Sequence, residues 1–491
     1  MIWAAALCTI LSFGACEDSL NLQPKSEIGE GVFYKNDQEI NLAVISSYNS
    51  LQSLMQYEWL VTENRSDNTN MNASSSESQD LPMRELDRFV QNSQNIYVEK
   101  YWRAAYHTIA MANTILDRID VVTDPALKNR YEAEARFLRA FSYFRLVRLF
   151  GAVFIIDTRI TGEEAKSYER QSEAAVYDFI VEDLKMAAAD GNLPQDVITA
   201  EEGRLSQYAA QAELAEVYIT RRSGNDLSDA KALLTSIKES TKFALQTTYA
   251  SVFSTTNEYN NEILFAVRYK SGSVGLGSPF ANWFAPKSSD NYVVNGNGLG
   301  YNYPTQSLGI AYEAGDTRKD VSMGESYFGK SGKVVVDSYI KKYLSTVTTA
   351  LDAENDWPII RYADVLLMLA EVTNDLDGPS DETLDLLNQV HQRAGLSAIV
   401  LTNVNTPFGF RLALENERRL EFAFENKRWF DLLRTKRAIT VMNQHFRAEF
   451  QYNDPIHPSF KTNDLNEWQL LLPIPQFEID LNPAITQNYG Y

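Results

Sequence analysis

The stretch EARFLRAFSYFRLVRLFG, from Glu134 to Gly151, carries apolar side chains on more than one side of a predicted helix. Phe137 and Phe144 belong to a stripe at helical spacing, whereas Leu138 and Leu146 lie outside it. A helix that is apolar on several sides is usually packed between other helices. The stretch therefore predicts a central helix with neighbours on more than one face.

Helical spacing continues on both sides of this segment, and most of the chain is predicted to be helical. Asp124-Pro125 starts the central helix with a cap followed by proline. The segment AAQAELAEVYI alternates small and large residues, which lets neighbouring helices approach closely as they do in tetratricopeptide-like helix pairs. We therefore predict an all-α fold, a tetratricopeptide-like helical repeat scaffold with a loop-rich irregular region. The other predicted helices span residues 37–56, 96–119, 172–189, 206–220, 229–238, 362–372, 381–394 and 408–434. Asp37 is expected to cap the first of these, whose apolar face consists of Ile40, Val44, Ile45, Tyr48 and Leu51.

Three segments are predicted to be irregular. Residues 62–80, TENRSDNTNMNASSSESQD, are rich in Asn and Ser and read as a loop. Between about 250 and 357, Gly, Ser, Asn and Tyr crowd together, and a long structureless stretch inside a globular chain usually has a function. The last twenty residues contain three prolines and are predicted to form an extended tail.

The amino terminus predicts export and lipid attachment. Residues 1–15 form a short apolar leader, and LSFGAC places small residues just before the thiol of Cys16, a pattern typical of a bacterial lipoprotein signal. We expect the mature chain to begin at Cys16 and to be tethered to a membrane by lipid. The usual basic residues are missing, since no Lys or Arg precedes Lys25. The alternative is an ordinary secretory leader with an incidental cysteine.

Composition excludes several classes of protein. The net charge of −20 argues against nucleic-acid binding, which needs clustered Lys and Arg. The 491 residues include only Cys8 and Cys16, so neither disulfides nor a cysteine-based metal site is expected in the mature protein. The aromatic fraction of 12% is high and suits sugar stacking as well as core packing.

No catalytic constellation is apparent, and we predict neither an enzyme nor a cofactor. The four histidines are scattered without metal-ligand spacing, and no HExxH, GxSxG or phosphate-loop motif occurs. The sequence NGNGLG, from Asn295 to Gly300, lacks a following helix and reads as a flexible loop, with a phosphate cradle as the weaker alternative. The alternative of a carboxylate pair of the glycosidase kind is disfavoured by the predicted helical scaffold, which shows no barrel pattern.

Six motifs occur in order along the chain: RSDN from Arg65, the central helix from Glu134, RYADVLLMLAEV from Arg361, QRAGL from Gln392, ERRLEFAFENKRWFDLLR from Glu417 and PIPQFEIDLNPAITQNYGY from Pro473. Together they give the chain a resemblance to the SusD/RagB family, the surface nutrient-binding lipoproteins of Bacteroidetes. Three residues depart from the family pattern without an expected contact to ligand: Phe154, His391 and Asn426 of Asn426-Lys427. Asn is the next best residue after glycine for a left-handed backbone, so the turn at Asn426 is expected to survive.

The resemblance implies a glycan-capturing protein at the cell outer membrane. Its implied partner is a SusC-like TonB-dependent transporter, over which the lipoprotein closes as a lid, and its implied ligand is an oligosaccharide or other nutrient. It also implies one compact unit with an N-terminal SusD-like region, 16–222, and a C-terminal region, 223–491. In the motif from Glu417, charged residues are expected to pair along the helix at i,i+3 and i,i+4 spacing.

Glycan recognition needs rings for the CH faces of sugars and polar side chains for their hydroxyls. On loops away from the helical repeats, where the resemblance implies the binding face, we predict stacking on Trp283, Tyr292 and Tyr301. We predict hydroxyl contacts from the loop 62–80, and the three residues concerned are Arg65, Asp67 and Asn68. The alternatives are that the rings pack a loop core and that the SDN sequence braces a turn. A protein-interaction scaffold, or a surface lipoprotein that captures peptides, remains an alternative function.

Overall fold

The computed structural model describes residues 33–71, 80–195, 201, 203–287, 289–449 and 464–491. The predicted leader 1–15 and Cys16 lie outside the described residues. Eighteen α-helices occur in the described part: α1 (Asp37–Val61), α2 (Leu81–Asp87), α3 (Ile96–Arg118), α4 (Pro125–Phe150), α5 (Gly162–Ala165), α6 (Glu173–Ala188), α7 (Gln207–Arg221), α8 (Asp226–Glu239), α9 (Tyr249–Val252), α10 (Phe280–Phe284), α11 (Gln306–Ala311), α12 (Arg318–Ser322), α13 (Tyr362–Asp377), α14 (Asp381–Arg393), α15 (Pro407–Glu421), α16 (Arg428–Arg434), α17 (Ala438–Glu449) and α18 (Gln476–Leu481).

Eight short strands pair into four antiparallel two-stranded sheets within the described residues, β1 with β5, β2 with β3, β4 with β8 and β6 with β7. The strands are β1 (Thr69–Asn70), β2 (Val153–Phe154), β3 (Arg170–Gln171), β4 (Ile263–Val267), β5 (Tyr303–Pro304), β6 (Met323–Phe328), β7 (Val334–Ile340) and β8 (Trp357–Arg361). The prediction of an irregular stretch at 250–357 is therefore wrong in part. A short β-strand gains its stability from pairing with a strand elsewhere in the sequence, which local composition does not reveal.

Helix α4 lies at the centre of the scaffold, as its sequence predicts. Every residue from Phe137 to Phe150 is buried, and α1, α3 and α6 all pack against the helix. The side chain of Asp124 caps its first turn, with Pro125 at the first helical position. Helices α3, α4, α6, α7, α8, α13 and α14 then pack each on the next, so the tetratricopeptide-like helical fold is confirmed.

Gly151 ends α4 with a backbone conformation that other residues avoid. Its φ is +69° and its ψ is −124°. A Cβ built there would lie 3.1 Å from both Glu173 Oε1 and Leu471 Cδ1. Both the backbone conformation and the close approach of these side chains therefore require glycine at this helix stop.

The N-terminal cap of helix α1 lies one residue earlier than predicted, and one side chain predicted to be buried is exposed. Asn36 caps the helix by accepting from the N–H of Glu39, so Asp37 is the first helical residue and not the cap. Ile40 and Val44 are buried as expected, but Ile45 is 47% exposed. The apolar side of α1 is therefore wider than its buried side.

The predicted helix 408–434 is broken between α15 and α16. Phe424 and Asn426 have φ values of +68° and +62°, which end a right-handed helix. Their N–H groups each donate to the carboxylate of Glu63 at 3.0 Å. Asn426 does support the left-handed turn expected of it, and the break exists because a distant carboxylate binds the freed N–H groups.

Residues 464–491 pack into the helical scaffold, and the prediction of a wholly extended tail is wrong because α18 lies within it. The N–H of Leu472 donates to the carbonyl of Leu149 at 2.7 Å, and Asn488 Nδ2 donates to the carbonyl of Phe150 at 2.9 Å. Trp102 Nε1 donates to Glu478 Oε1 at 3.0 Å. This closing segment therefore covers the C-terminal end of α4 and one side of α3.

Candidate functional site

The polar residues predicted to contact sugar hydroxyls are buried inside the protein. Asp67 is 5% exposed, and both of its carboxylate oxygens accept hydrogen bonds from Arg428. The Nε–Oδ1 and Nη2–Oδ2 distances are 2.7 and 3.0 Å. Asn68 is fully buried, accepts from Arg419 Nε at 2.9 Å and donates to Glu63 Oε1 at 3.1 Å. Neither side chain reaches the surface, which corrects the predicted role of both.

Arg65 is also buried, and its guanidinium holds the closing segment. The guanidinium carbon lies 4.3 Å from the ring centroid of Phe89 and 5.2 Å from that of Trp429. Nη2 donates to the carbonyl of Gln469 at 2.8 Å. Burial lowers the pKa of Arg65 to about 10. The predicted contact of Arg65 with ligand is therefore corrected to a structural role.

The alternative that the SDN sequence braces a turn matches the geometry. Ser66 Oγ donates to the carbonyl of Glu63 and accepts from the N–H of Asn68. The carbonyl of Asn68 then accepts from the N–H of Thr305, next to β5. The motif thus joins the end of α1 to the segment that follows Tyr301.

We expect Asp67→Asn to lower the free energy of unfolding by about 2 kcal/mol, because two buried guanidinium groups lose a charged acceptor. Burial raises the pKa of Asp67, but Arg428 and Arg419 outweigh burial and hold the pKa well below its usual range. Because the pKa of Asp67 is lower in the folded than in the unfolded protein, its charge stabilises the fold at pH values above the unfolded-state pKa. The difference in unfolding free energy between the wild type and Asp67→Asn should therefore become smaller as the pH falls below about 4. Urea denaturation of the wild type and the variant at several pH values measures this difference.

Asp377→Asn is the matched control, because Asp377 is 58% exposed in its pair with Lys231. A change of no more than about 0.5 kcal/mol is expected there. Equal losses from the two substitutions would refute the structural role of Asp67.

Two of the three predicted stacking residues lie together on one surface. The ring centroids of Trp283 and Tyr301 are 6.5 Å apart, and the N–H of Tyr301 donates to the carbonyl of Trp283 at 2.8 Å. Both rings are partly exposed, and both lie against buried Trp59, at 6.3 and 6.1 Å. We call the pair Trp283 and Tyr301 the aromatic platform.

The Gly-rich loop is fastened to α10 and sets the position of Tyr301. Asn282 Nδ2 donates to the carbonyls of Asn295 and Asn297 at 2.9 and 2.8 Å, and the N–H of Leu299 donates to the carbonyl of Asn282. A Cβ at Gly300 would lie 2.4 Å from the hydroxyl of Tyr303. The backbone of the Gly-rich loop is therefore used in contacts that hold Tyr301 in place. This disfavours the alternative that the loop is a phosphate cradle.

Tyr292 does not join the platform. It lies in a 3₁₀ turn, Asp290–Tyr292, and is 51% exposed. Among the described residues, its ring forms no aromatic contact with either platform residue. Its predicted role as a stacking residue stays a prediction.

Sequence reasoning missed two further tyrosines near the platform. Tyr57 of α1 and Tyr97 of α3 have ring centroids 6.4 Å apart, and Lys100 Nζ lies 5.7 and 5.4 Å from the two centroids. Burial, and then the hydroxyl of Tyr301, raise the pKa of Tyr97 to about 12. Their helical positions gave no sign of a binding role, because helical aromatics usually belong to the core.

The described residues contain no group of three or more His, Cys, Asp or Glu side chains placed to hold a metal ion. None of the described helices is both long and apolar enough to cross a lipid bilayer. The platform itself offers two ring faces and the hydroxyl of Tyr301. Tyr57, Tyr97 and Lys100 add two further hydroxyls and an amine.

Comparison with known proteins identifies relatives over nearly the whole chain. A family model described as "SusD family" matches residues 279–491, and one described as "Starch-binding associating with outer membrane" matches residues 22–219. SusD-like protein P25 of Formosa agariphila is 25% identical over 532 aligned positions, covering 98% of each chain. A SusD-like protein of Bacteroides ovatus is 25% identical, covering 87% of this chain and 80% of the relative.

Solved structures share the fold. A "Laminarin binding SusD-like protein" has a TM-score of 0.78 at 24% identity, covering 93% of this chain and all of the other. Surface glycan-binding protein A from Bacteroides thetaiotaomicron in complex with laminarihexaose has a TM-score of 0.78 at 22% identity, covering 92% of this chain and 99% of the other.

Proposed function

Since the chain belongs to the SusD family, we propose that it is a surface glycan-binding protein that captures oligosaccharide without altering it. In this proposal it delivers the captured glycan to a SusC-like TonB-dependent transporter in the outer membrane. Lipid on Cys16 holds it there, at the outer face of the cell. Capture raises the local concentration of ligand above the transporter pore.

The aromatic platform is the observation that carries the proposal. An aromatic ring covers the apolar CH face of a sugar, and a tyrosine hydroxyl adds a hydrogen bond at the ring edge. Trp283 and Tyr301 present two such rings at 6.5 Å, partly exposed, on a rigid backing of buried Trp59. A preformed site of this kind spends little free energy on ordering when a ligand binds.

Relatives with known ligands support the same class of ligand. The solved structures of this fold include one described as laminarin-binding and one in complex with laminarihexaose. A site made of rings and hydroxyls suits an uncharged oligosaccharide of this general kind. The net charge of −20 disfavours polyanionic ligands at long range.

A printed glycan array tests the proposal. The probe is the mature protein with Cys16→Ser, so that the chain stays in solution, and the array includes synthetic peptides as competing ligands. We expect saturable binding to one or more oligosaccharide series and no release of shortened products. Binding only to peptides would support the protein-interaction alternative, and product release would support a hydrolase. Either outcome, or no glycan binding, overturns the proposal.

A further inference from the structure

A large groove follows the exposed side of α1, apart from the aromatic platform. Its volume is about 880 Å³. One wall is α1 from Asn41 to Gln52, and the other is built by Tyr259, by β4 with the residues after it, and by Leu276. We call it the α1 groove.

The walls of the α1 groove carry exposed apolar side chains. Leu42 and Ile45 of α1 are 56% and 47% exposed, and Tyr259 and Leu276 opposite are 49% and 36% exposed. Four such side chains around one cavity form a patch that water solvates poorly. The patch is concave and lies over a polar floor, as ligand sites commonly do.

The ring of Tyr259 is held in place by charged neighbours. The guanidinium carbon of Arg268 lies 3.9 Å from the ring centroid. Arg268 in turn pairs with Glu258 at 3.1 Å and with Asp356. An exposed aromatic ring that is fixed by an anchored arginine is preorganised for stacking.

The floor of the α1 groove contains buried polar atoms without partners. Tyr269 is 5% exposed, and its hydroxyl forms no hydrogen bond with any described residue. Glu258 Oε1 is likewise buried without a partner among the described residues. Burial raises the pKa of Tyr269, so its hydroxyl stays a donor. A buried donor and a buried acceptor with unused capacity suit a ligand hydroxyl, which both donates and accepts.

One aromatic ring separates the groove floor from the platform. The ring of Phe280 lies 5.8 Å from that of Tyr269 and 5.7 Å from that of Trp283. Gln52 of α1 donates to the carbonyls of Arg268 and Leu276, which fixes the far wall to the helix. Phe280 is itself buried, so the groove floor and the platform are neighbours on either side of one core ring.

We propose that the α1 groove is a second carbohydrate-binding site, which holds the continuation of a glycan chain whose first sugars lie on the aromatic platform. The inference rests on the proposed function. Leu42, Ile45 and Tyr259 contact the CH faces of the chain. The hydroxyl of Tyr269 and the carboxyl of Glu258 bind its hydroxyl groups.

Affinity as a function of chain length tests this proposal. The probes are disaccharides, trisaccharides and longer oligomers of every glycan series on the array, followed by calorimetry on the series bound. We expect the wild-type affinity to rise with chain length. Tyr259→Ala should lose about tenfold affinity for the long oligomers, equivalent to about 1.4 kcal/mol, and should change the affinity for the short ones less than about twofold. Tyr259→Phe, which keeps the ring, should bind as the wild type does.

A second substitution in the α1 groove tests the proposal independently if Tyr259→Ala fails to fold. Ile45→Lys adds a charge at an exposed site on α1 and should give the same selective loss for long oligomers. Phe408→Ala removes an aromatic side chain that is 61% exposed at the start of α15, and should change nothing.

The outcomes separate the two proposals. Binding that does not depend on chain length, with Tyr259→Ala and Ile45→Lys unchanged, overturns the groove and leaves the platform standing. Equal losses for short and long oligomers also overturn the groove as a separate site. Absence of glycan binding by the wild type overturns the proposed function and this inference together.

Discussion

Replacement of Arg361 by methionine is expected to lower the free energy of unfolding by about 3–5 kcal/mol, because it leaves buried carboxylates short of a counterion. Arg361 is fully buried at the start of α13. Its Nη1 lies 2.7 Å from Glu262 and 2.9 Å from Glu421, and its Nε lies 2.8 Å from Glu425. One guanidinium therefore serves three carboxylates from two parts of the chain, residue 262 and the segment 421–425.

The remaining cations cannot replace it. Arg393 pairs with Glu262 at 3.0 Å, and Lys342 pairs with Glu425 at 2.8 Å, so each is already engaged. Methionine fills much of the volume of arginine but supplies no donor. The three carboxylates would then have to take up protons or water.

Denaturation in urea measures this loss, and Arg411→Met is the matched control. Arg411 is 49% exposed and pairs with Asp375 at 2.7 Å, so its replacement should cost less than about 1 kcal/mol. If Arg361→Met also lowers the free energy of unfolding by less than about 1 kcal/mol, the buried network adds no stability.

The same network of buried charges predicts how the effect of Arg361→Met on stability depends on pH. Burial raises the pKa of Glu421, but Arg393, Arg361 and Arg318 outweigh burial and hold that pKa well below its usual range. A depressed folded-state pKa gives stability that is present above the unfolded value and lost as the pH falls. Arg361→Met should therefore shift the midpoint of acid unfolding to higher pH.

Trp283→Ala is expected to lower the affinity for the bound oligosaccharide series about thirtyfold, equivalent to about 2 kcal/mol. The substitution removes one of the two rings of the aromatic platform and leaves buried Trp59 in place beneath. Tyr301→Ala should have a smaller effect because its ring is smaller, and the double substitution should abolish measurable binding. Isothermal titration calorimetry gives the three affinities.

Phe408→Ala is the control for a lost exposed aromatic ring, and thermal denaturation checks that each variant folds. A folded Trp283→Ala protein with the affinity of the wild type would remove Trp283 from the site. Retention of binding by the double variant would place the site elsewhere, with Tyr292 as the next residue to replace.

Sequence reasoning succeeded where the cause of a structure is local. The two-sided apolar pattern around Phe141 predicted the buried centre of α4, and Asp124-Pro125 predicted its start. These features depend on side chains within a few residues of one another, so the sequence pattern contains their cause.

Sequence reasoning failed where the cause lies far along the chain. The break after α15 depends on Glu63, and the burial of Asp67 depends on Arg428, which is 361 residues away. A polar loop reads as exposed unless its partner is known. Tyr57 and Tyr97 were missed for the converse reason, because a ring at a helical position near the surface looks like part of the core.

The closing segment has a consequence for the order of events during biosynthesis. It covers the end of α4, and the bond from Asn488 to Phe150 joins residues 338 positions apart. Contacts of such separation form late, since a long loop must first be closed. The ribosome therefore completes α4 long before the residues that cover it exist. The centre of the scaffold is therefore covered only after the last residues of the chain have been made.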